Sequence, residues 1–327
     1  MEGRGWTDTK RYYDRLPAKA KGVVRGPVWG LSRHSSGMCV HFRTDATTIR
    51  ARYTLLSSGL AMPHMPATGV SGLDLYAQND EGQWRWLGVV RPTTAPNVKA
   101  TLAEGIIPGR RDYMIYLPLY NGVESLEIGL PAEAAFEPIG PRSEKPLLFY
   151  GTSITHGGCA SRPGMAYPAI LGRRLDRPVI NLGFSGNGRM DPEVADLMAE
   201  LDPAVYVIDC LPNMEGPAVA ERTGPLVHTL RKARPGTPIV LVEDRTYSNA
   251  PFLPSKQKRH AGSRAALKEA HRRLVDQGVA GLHYVEGSHL LGDDREATVD
   301  SSHPTDLGMM RMADALEPVL RPLLGDR

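Results

Sequence analysis

A change of hydrophobic period near residue 145 constrains this chain more than any other feature. Before it, apolar and polar residues alternate. In "TIRARYTL", Ile49, Ala51, Tyr53 and Leu55 interleave with Arg50, Arg52 and Thr54, the period of a strand with one buried face. Val40 and Phe42 in "CVHF" follow the same rule, as do Leu73, Leu75 and Ala77 in "GLDLYA" and Leu126, Ile128 and Leu130 in "SLEIGL". Turn-forming clusters such as "AQNDEG" and "LYNG" separate these runs, and no long helical periodicity interrupts them. Several short alternating strands predict a β-sandwich.

Beyond "GPRSEKP" (140–146), whose composition is that of a linker, short apolar runs alternate with helical stretches. The expected strands are "LLFY" (147–150), "PVINL" (178–182), "AVYVIDC" (204–210), "PIVLVED" (238–244) and "LHYV" (282–285). Between the last two, Ala265, Ala266, Leu267, Ala270 and Leu274 fall at near-helical spacing, with bases on the other face. "TDLGMMRMADALEPVLRPLL" reads as a closing amphipathic helix with Asp306 near its start. Strand–helix alternation predicts an α/β fold, a parallel sheet covered on both faces. A chain of 327 residues is long for a single core. Two domains are therefore expected, an all-β domain at 1–143 and an α/β domain at 144–327.

Composition excludes several classes of function. The 39 bases exceed the 36 acids by only three, and no basic run is interleaved with aromatics, which argues against nucleic acid or an anionic membrane surface as partner. No window approaches the ~18 apolar residues of a membrane helix. The N-terminal "MEGRGWTDTK" has no apolar core of a secretory signal, so a cytoplasmic location is expected. Cys39, Cys159 and Cys210 are odd in number and far apart, which reads as buried thiols rather than a disulfide framework. The ten histidines show no H-E-x-x-H and no ligand-spaced Cys/His cluster, so neither a metal nor another cofactor is expected.

In parallel sheets the chemistry sits in loops past the strand C-terminal ends. The first such loop holds Gly151–Thr152–Ser153, the second "GFSGNG" with Gly186, and the third "CLPNM" with Asn213. "VDSSHP", with Asp300 and His303, precedes the last helix. A serine attacks an ester only if a base takes its proton and a carboxylate orients that base. Asp300 and His303 are close enough in sequence for the carboxylate to reach Nδ1, leaving Nε2 to face Ser153. The oxyanion formed by attack wants converging donors. The candidates are the Gly186 N–H, the Asn213 side-chain amide and the Ser153 N–H at a helix start.

These four blocks resemble the SGNH (GDSL-type) hydrolases over about residues 146–327. That family's motifs are a Gly-x-Ser nucleophile block, a Gly, an Asn and a C-terminal Asp-x-x-His. They fall in order on Ser153, Gly186, Asn213, and Asp300 with His303. The resemblance implies a three-layer, flavodoxin-like αβα domain and metal-free hydrolysis of acyl esters. It further implies short acyl groups, with O-acetylated carbohydrate leading among substrates. "MPHMPATGVSGLDLYA" is similar to the Gly-x-Asp-Leu-Tyr β-domain, a jelly-roll-like sandwich, that precedes some members. Two positions depart from the family pattern. Thr152 stands where an Asp usually braces the nucleophile loop, and Leu211–Pro212–Asn213–Met214 replaces Gly-x-Asn-Asp.

Each residue also has a plainer reading. Ser153, Gly186 and Asn213 are all turn formers. His156, three residues past Ser153, is read as lining the pocket or as structural rather than as a rival base. Arg245 and Tyr247 could bind polar substrate groups, or Arg245 could bridge Glu243 and Asp244. Trp84 and Trp86 share a strand face, as sandwich core or domain interface; His64 and Asp74 carry no assignable role. The alternatives to an acetylesterase are a thioesterase or lipase on longer chains and a non-catalytic carbohydrate-binding protein. A homo-oligomer is left open.

Overall fold

The computed structural model describes residues 1–325. Its first helix, α1 (Gly26–Leu31), precedes an antiparallel sandwich. The strands are β1 (Cys39–Thr44), β2 (Thr48–Leu55), β3 (Asp74–Gln78), β4 (Trp84–Val89), β5 (Asn97–Glu104), β6 (Arg111–Tyr116), β7 (Val123–Gly129) and β8 (Phe136–Pro138), with a short helix α2 (Ala67–Val70) before β3. They form two sheets, ordered β4-β3-β6-β1-β8 and β5-β2-β7. The alternation of β2 is realised residue by residue: Ile49, Ala51, Tyr53 and Leu55 enter the core, which they share with Phe42, Leu73, Leu75, Tyr113 and Ile115. The polar residues between them point out, as the pleat requires.

The α/β half runs β9 (Leu147–Gly151), α3 (Ser153–His156), α4 (Tyr167–Arg174), β10 (Val179–Gly183), α5 (Pro192–Ala199), β11 (Val205–Asp209), α6 (Gly216–Ala233), β12 (Ile239–Val242), α7 (Pro254–Asp276), β13 (Leu282–Val285) and α8 (Asp306–Leu323). All neighbours in the sheet are parallel, in the order β10-β9-β11-β12-β13. Both faces are covered, which is why the strands read as continuous apolar runs. Leu148, Tyr150, Ile180, Leu182, Tyr206 and Ile208 face α5, α6 and α7. Leu147, Phe149, Val179, Val205 and Val207 face α4 and α8.

The first 36 residues bridge the two halves: Met1 and Tyr13 pack against the sandwich core, and most of the segment's other apolar side chains pack on the α/β sheet. Trp6, Leu16, Ala20, Val24 and Val28 join the core beside α5 and α6. Arg15, 2% exposed, fastens this segment through backbone carbonyls. It donates to the carbonyls of Asn181 and Gly183 at the end of β10 (3.0 and 2.8 Å), and to those of Leu31 and His34 (2.7 and 2.9 Å).

The outer face of the larger sandwich sheet closes on α4 through Cys39, Tyr76, Met114, Tyr116 and Ala169. Trp84 packs against this cluster, so it serves the interface between the halves. Trp86 is half exposed, with its Nε1–H donated to Asp74 (2.9 Å). Asp74 is fully buried and also accepts from the Arg162 guanidinium (2.9 Å) and the Gly164 N–H (2.8 Å). Burial pushes its carboxyl pKa up, with Arg162 opposing. The Tyr76 hydroxyl accepts from Arg162 as well (2.5 Å). A Cβ on Gly164 would stand 2.4 Å from the Tyr76 ring. Asp74 and Tyr76 of the "GLDLY" segment thus pin the loop after α3 to the sandwich.

Candidate active site

Gly151 is in register with Gly183 of β10 and with Asp209 of β11. The three strands end level, and the loops carrying Ser153, Gly186 and Asn213 leave the sheet side by side. β9 lies between β10 and β11, the two strands that follow it in sequence, so Ser153 lies at the switch point of the topology.

The turn that presents Ser153 is tight. A Cβ on Gly151 would meet the Thr155 hydroxyl at 2.0 Å, and one on Gly188 would meet the Gly151 carbonyl at 2.0 Å. Thr152 caps α3, its Oγ1 accepting from the Ile154 N–H at 3.3 Å. The bracing carboxylate comes from another strand. Asp209, buried at the end of β11, accepts from the hydroxyls of Thr155 (3.2 Å) and Tyr167 (2.9 Å). Burial raises its pKa to about 7, against the hydrogen bond from Tyr167.

Ser153 Oγ lies 2.8 Å from His303 Nε2, and His303 Nδ1 lies 2.8 Å from Asp300 Oδ2. The other oxygen of Asp300 accepts from the N–H groups of Ser302 (3.0 Å) and His303 (2.8 Å). Partial burial raises the Asp300 pKa, but these hydrogen bonds outweigh it and bring it down to about 2. Ser301 adopts φ +73°, a left-handed conformation that turns both N–H groups back on Asp300. An ionised carboxylate on Nδ1 fixes the tautomer in which Nε2 accepts a proton. Only 7% of Ser153 is exposed.

Asn213 ends a short 3-10 turn after β11. Its Oδ1 accepts from the Gly188 N–H at 3.3 Å, which identifies the other side-chain atom as the donor NH₂. Gly186 sits on the same loop as Gly188, exposed and at φ +69°.

For three residues the geometry favours the plainer, structural reading. His156 lines no pocket. It is fully buried, stacked on Tyr120 at 4.2 Å, and burial beside Arg15 and His34 pushes its pKa well below the usual value. Arg245 is 2% exposed and is spent within the protein, paired with Asp244 and donating to the carbonyl (3.1 Å) and the hydroxyl of Ser302. Tyr247 is half-buried, its ring stacked on His260 (4.8 Å) with Lys256 and Arg245 over it (4.6 and 4.7 Å). Arg245 thus clamps the Asp300–His303 loop, and Tyr247 packs against Arg245 and Lys256. Lys256 extends the clamp with a bond to the Ser301 hydroxyl (2.8 Å), and the Ser248 N–H donates to the Ser301 carbonyl (3.0 Å).

Residues without an assigned role also surround the site. The His64 ring, from the sandwich, lies 5.5 Å from that of His303. The Tyr120 hydroxyl donates to the Ser153 carbonyl at 3.1 Å. Both come from loops of the β half, whose local sequence carries no sign of what they will meet.

A parallel sheet with a serine, histidine and carboxylate joined in series at its switch point has the features of a carboxylic ester hydrolase. The chain belongs to the GDSL-like lipase/acylhydrolase family, whose model matches residues 144–321, and the N-terminus of SGNH-hydrolase-type esterases matches residues 1–136. A structure from Bacteroides ovatus ATCC 8483, described as a GDSL-like lipase, superposes with a TM-score of 0.93 at 32% identity, covering 99% of this chain and 95% of that one. Two more distant structures share the fold. A salicylyl-acyltransferase from a tetracycline biosynthetic pathway has a TM-score of 0.77 at 21% identity, over 95% of this chain and 89% of its own. A family two carbohydrate esterase from Clostridium thermocellum, in complex with cellohexaose, has a TM-score of 0.63 at 16% identity, over 89% and 93%. A search of curated proteins finds no match. Among the described residues, no helix is long and apolar enough to cross a membrane.

Proposed function

We propose that this protein is a serine esterase that removes short acyl groups, acetyl foremost, from carbohydrate esters. The observation that carries the reading is the unbroken series Ser153 Oγ–His303 Nε2 and His303 Nδ1–Asp300 Oδ2, both at 2.8 Å. Ser153 attacks the ester carbonyl while His303 takes its proton. The imidazolium, held by Asp300, returns that proton to the leaving alcohol. Water activated by the same imidazole then releases the acid from the acyl-enzyme. The N–H groups of Ser153 and Gly186 and the Asn213 side-chain NH₂ receive the oxyanion. Residues 144–327 carry this chemistry, and 1–143 form an accessory domain that walls the site.

Crowding supports a small acyl group: Ser153 is nearly covered, and His64 stands against the His303 ring. A carbohydrate alcohol is supported by the family resemblance and by fold likeness to a carbohydrate esterase. Three buried free thiols suit a reducing compartment, and we place the protein in the cytoplasm.

The test is acetate release from a panel of acetylated saccharides, with acetyl and octanoyl p-nitrophenyl esters compared in parallel. Ser153→Ala should lower turnover at least ~10³-fold and abolish fluorophosphonate labelling while the fold is kept. Unchanged hydrolysis by that variant ends the assignment, and a preference for octanoyl esters moves it to longer-chain substrates.

A further inference from the structure

Two side chains beside the site have no part in the proposed reaction. His64 lies in the loop between β2 and α2, held by reciprocal backbone bonds between Met62 and Met65 (2.9 and 3.0 Å). Cys159 is a free thiol just past α3, and its N–H donates to the carbonyl of Pro304 (3.0 Å), the residue after His303. One donor atom from each of His64, Cys159 and His303 lies within 4.8 Å of the others. Three separate stretches of chain thus bring two imidazoles and a thiol to one point.

That donor set suits a borderline-soft cation. Zinc takes His nitrogen at about 2.0–2.1 Å and Cys sulfur at about 2.3 Å, so tetrahedral donors stand roughly 3.3–3.8 Å apart. Side-chain rotations of about 1 Å would close the trio to that spacing. The Asp300 carboxylate, 2.8 Å from His303 Nδ1, places a negative charge beside the trio that attracts a cation. A second trio, Glu2, Cys39 and His41, lacks this capacity. There the Arg142 guanidinium already occupies both Glu2 oxygens (2.9 and 2.6 Å).

We propose that His64, Cys159 and His303 form a site for a zinc-type divalent cation, and that its occupation switches hydrolysis off. Both ring nitrogens of His303 are engaged, by Ser153 Oγ and by Asp300 Oδ2. Coordination through either one breaks a hydrogen bond on which proton transfer depends. The step balances simply: the Cys159 S–H bond is exchanged for a sulfur–metal bond, the thiol proton leaves to solvent, and water or an anion fills the fourth position. Inhibition rests on the function proposed above; binding does not.

The experiment titrates the full chain with Co²⁺ as a spectroscopic stand-in for zinc. Wild type should show tetrahedral visible bands and a near-ultraviolet sulfur-to-cobalt charge-transfer band, saturating at one equivalent. Cys159→Ser should lose the charge-transfer band, and His64→Ala should weaken binding at least ~10-fold. In parallel, Zn²⁺ should suppress p-nitrophenyl acetate hydrolysis, with recovery on chelation. Each variant, compared with its own metal-free rate, should need at least ~10-fold more Zn²⁺. Identical cobalt spectra in wild type and Cys159→Ser, with both folded by circular dichroism, would overturn the site. Stoichiometric cobalt binding without loss of hydrolysis would overturn the switch. A chain that hydrolyses no ester but gives the charge-transfer band would uphold the site while removing the proposed function.

Discussion

Arg245 Nε donates to the carbonyl of Ser302 at 3.1 Å, so the loop after β12 holds the backbone immediately before His303. The guanidinium also reaches the Ser302 hydroxyl, and its charge is balanced by Asp244, which in turn accepts from Arg259 (2.8 Å). The histidine that would serve as base is therefore positioned by residues far from it in sequence.

Arg245→Ala should lower kcat about 10–100-fold, since small displacements of a reacting group are costly, with little change in KM. Arg245→Lys cannot reproduce the planar fork and should recover only part of the loss. Steady-state kinetics on p-nitrophenyl acetate checks this. An effect on KM alone would return Arg245 to substrate binding.

Asn213→Ala should reduce kcat roughly 10²–10³-fold as an oxyanion donor is removed. Asn213→Asp keeps an acceptor for the Gly188 N–H but loses the donor and adds negative charge, so its loss should be at least as large. A near-native rate in either variant places the oxyanion donors elsewhere.

Asp74→Ala strands the Arg162 guanidinium at the interface between sandwich and α/β half. Removing one partner of a buried ion pair costs about 3–5 kcal/mol, which urea unfolding would read. The variant should also loosen the loop after α3, since Arg162 and Gly164 both lie on it. A loss below about 1 kcal/mol would mean that water replaces the carboxylate readily.

Asp209 gives a signed pH dependence. Its folded pKa is raised to about 7, above the unfolded carboxylate value near 4, so between those limits the folded state binds the extra proton. Stability should be greatest at the acid end of that window and fall by a few kcal/mol as pH rises through about 7. Asp209→Asn, neutral throughout, should lack that slope. Unfolding free energies at intervals from pH 4.5 to 8 decide it, and parallel curves for the two proteins would refute the assignment.

Much of this was legible from residue order. Period-two alternation marked β2 as a half-buried strand because one face of a pleat must meet the core. Continuous apolar runs marked β9 to β12 because a doubly covered sheet buries both faces. That Ser153, Asp300 and His303 would lie together was legible because a parallel sheet gathers such loops and attack on an ester would need a nucleophile, a base and an orienting acid there. For His156, read as lining the pocket or as structural, residue order could not decide between the two: three residues past Ser153, the side chain turns under Tyr120 and is buried.

The sequence by itself determined the kinds of element, their order and the chemical groups on offer. Only the tertiary structure decided which groups meet: Arg245 with Ser302, Asp74 with Arg162, Asp209 with Tyr167, and His64 with His303. The reason is physical. Local periodicity follows from backbone geometry and solvent, which act over a few residues. A buried charge finds its partner, and an imidazole its neighbours, only when packing brings distant loops into one low-dielectric volume, where each must be satisfied or its burial is penalised.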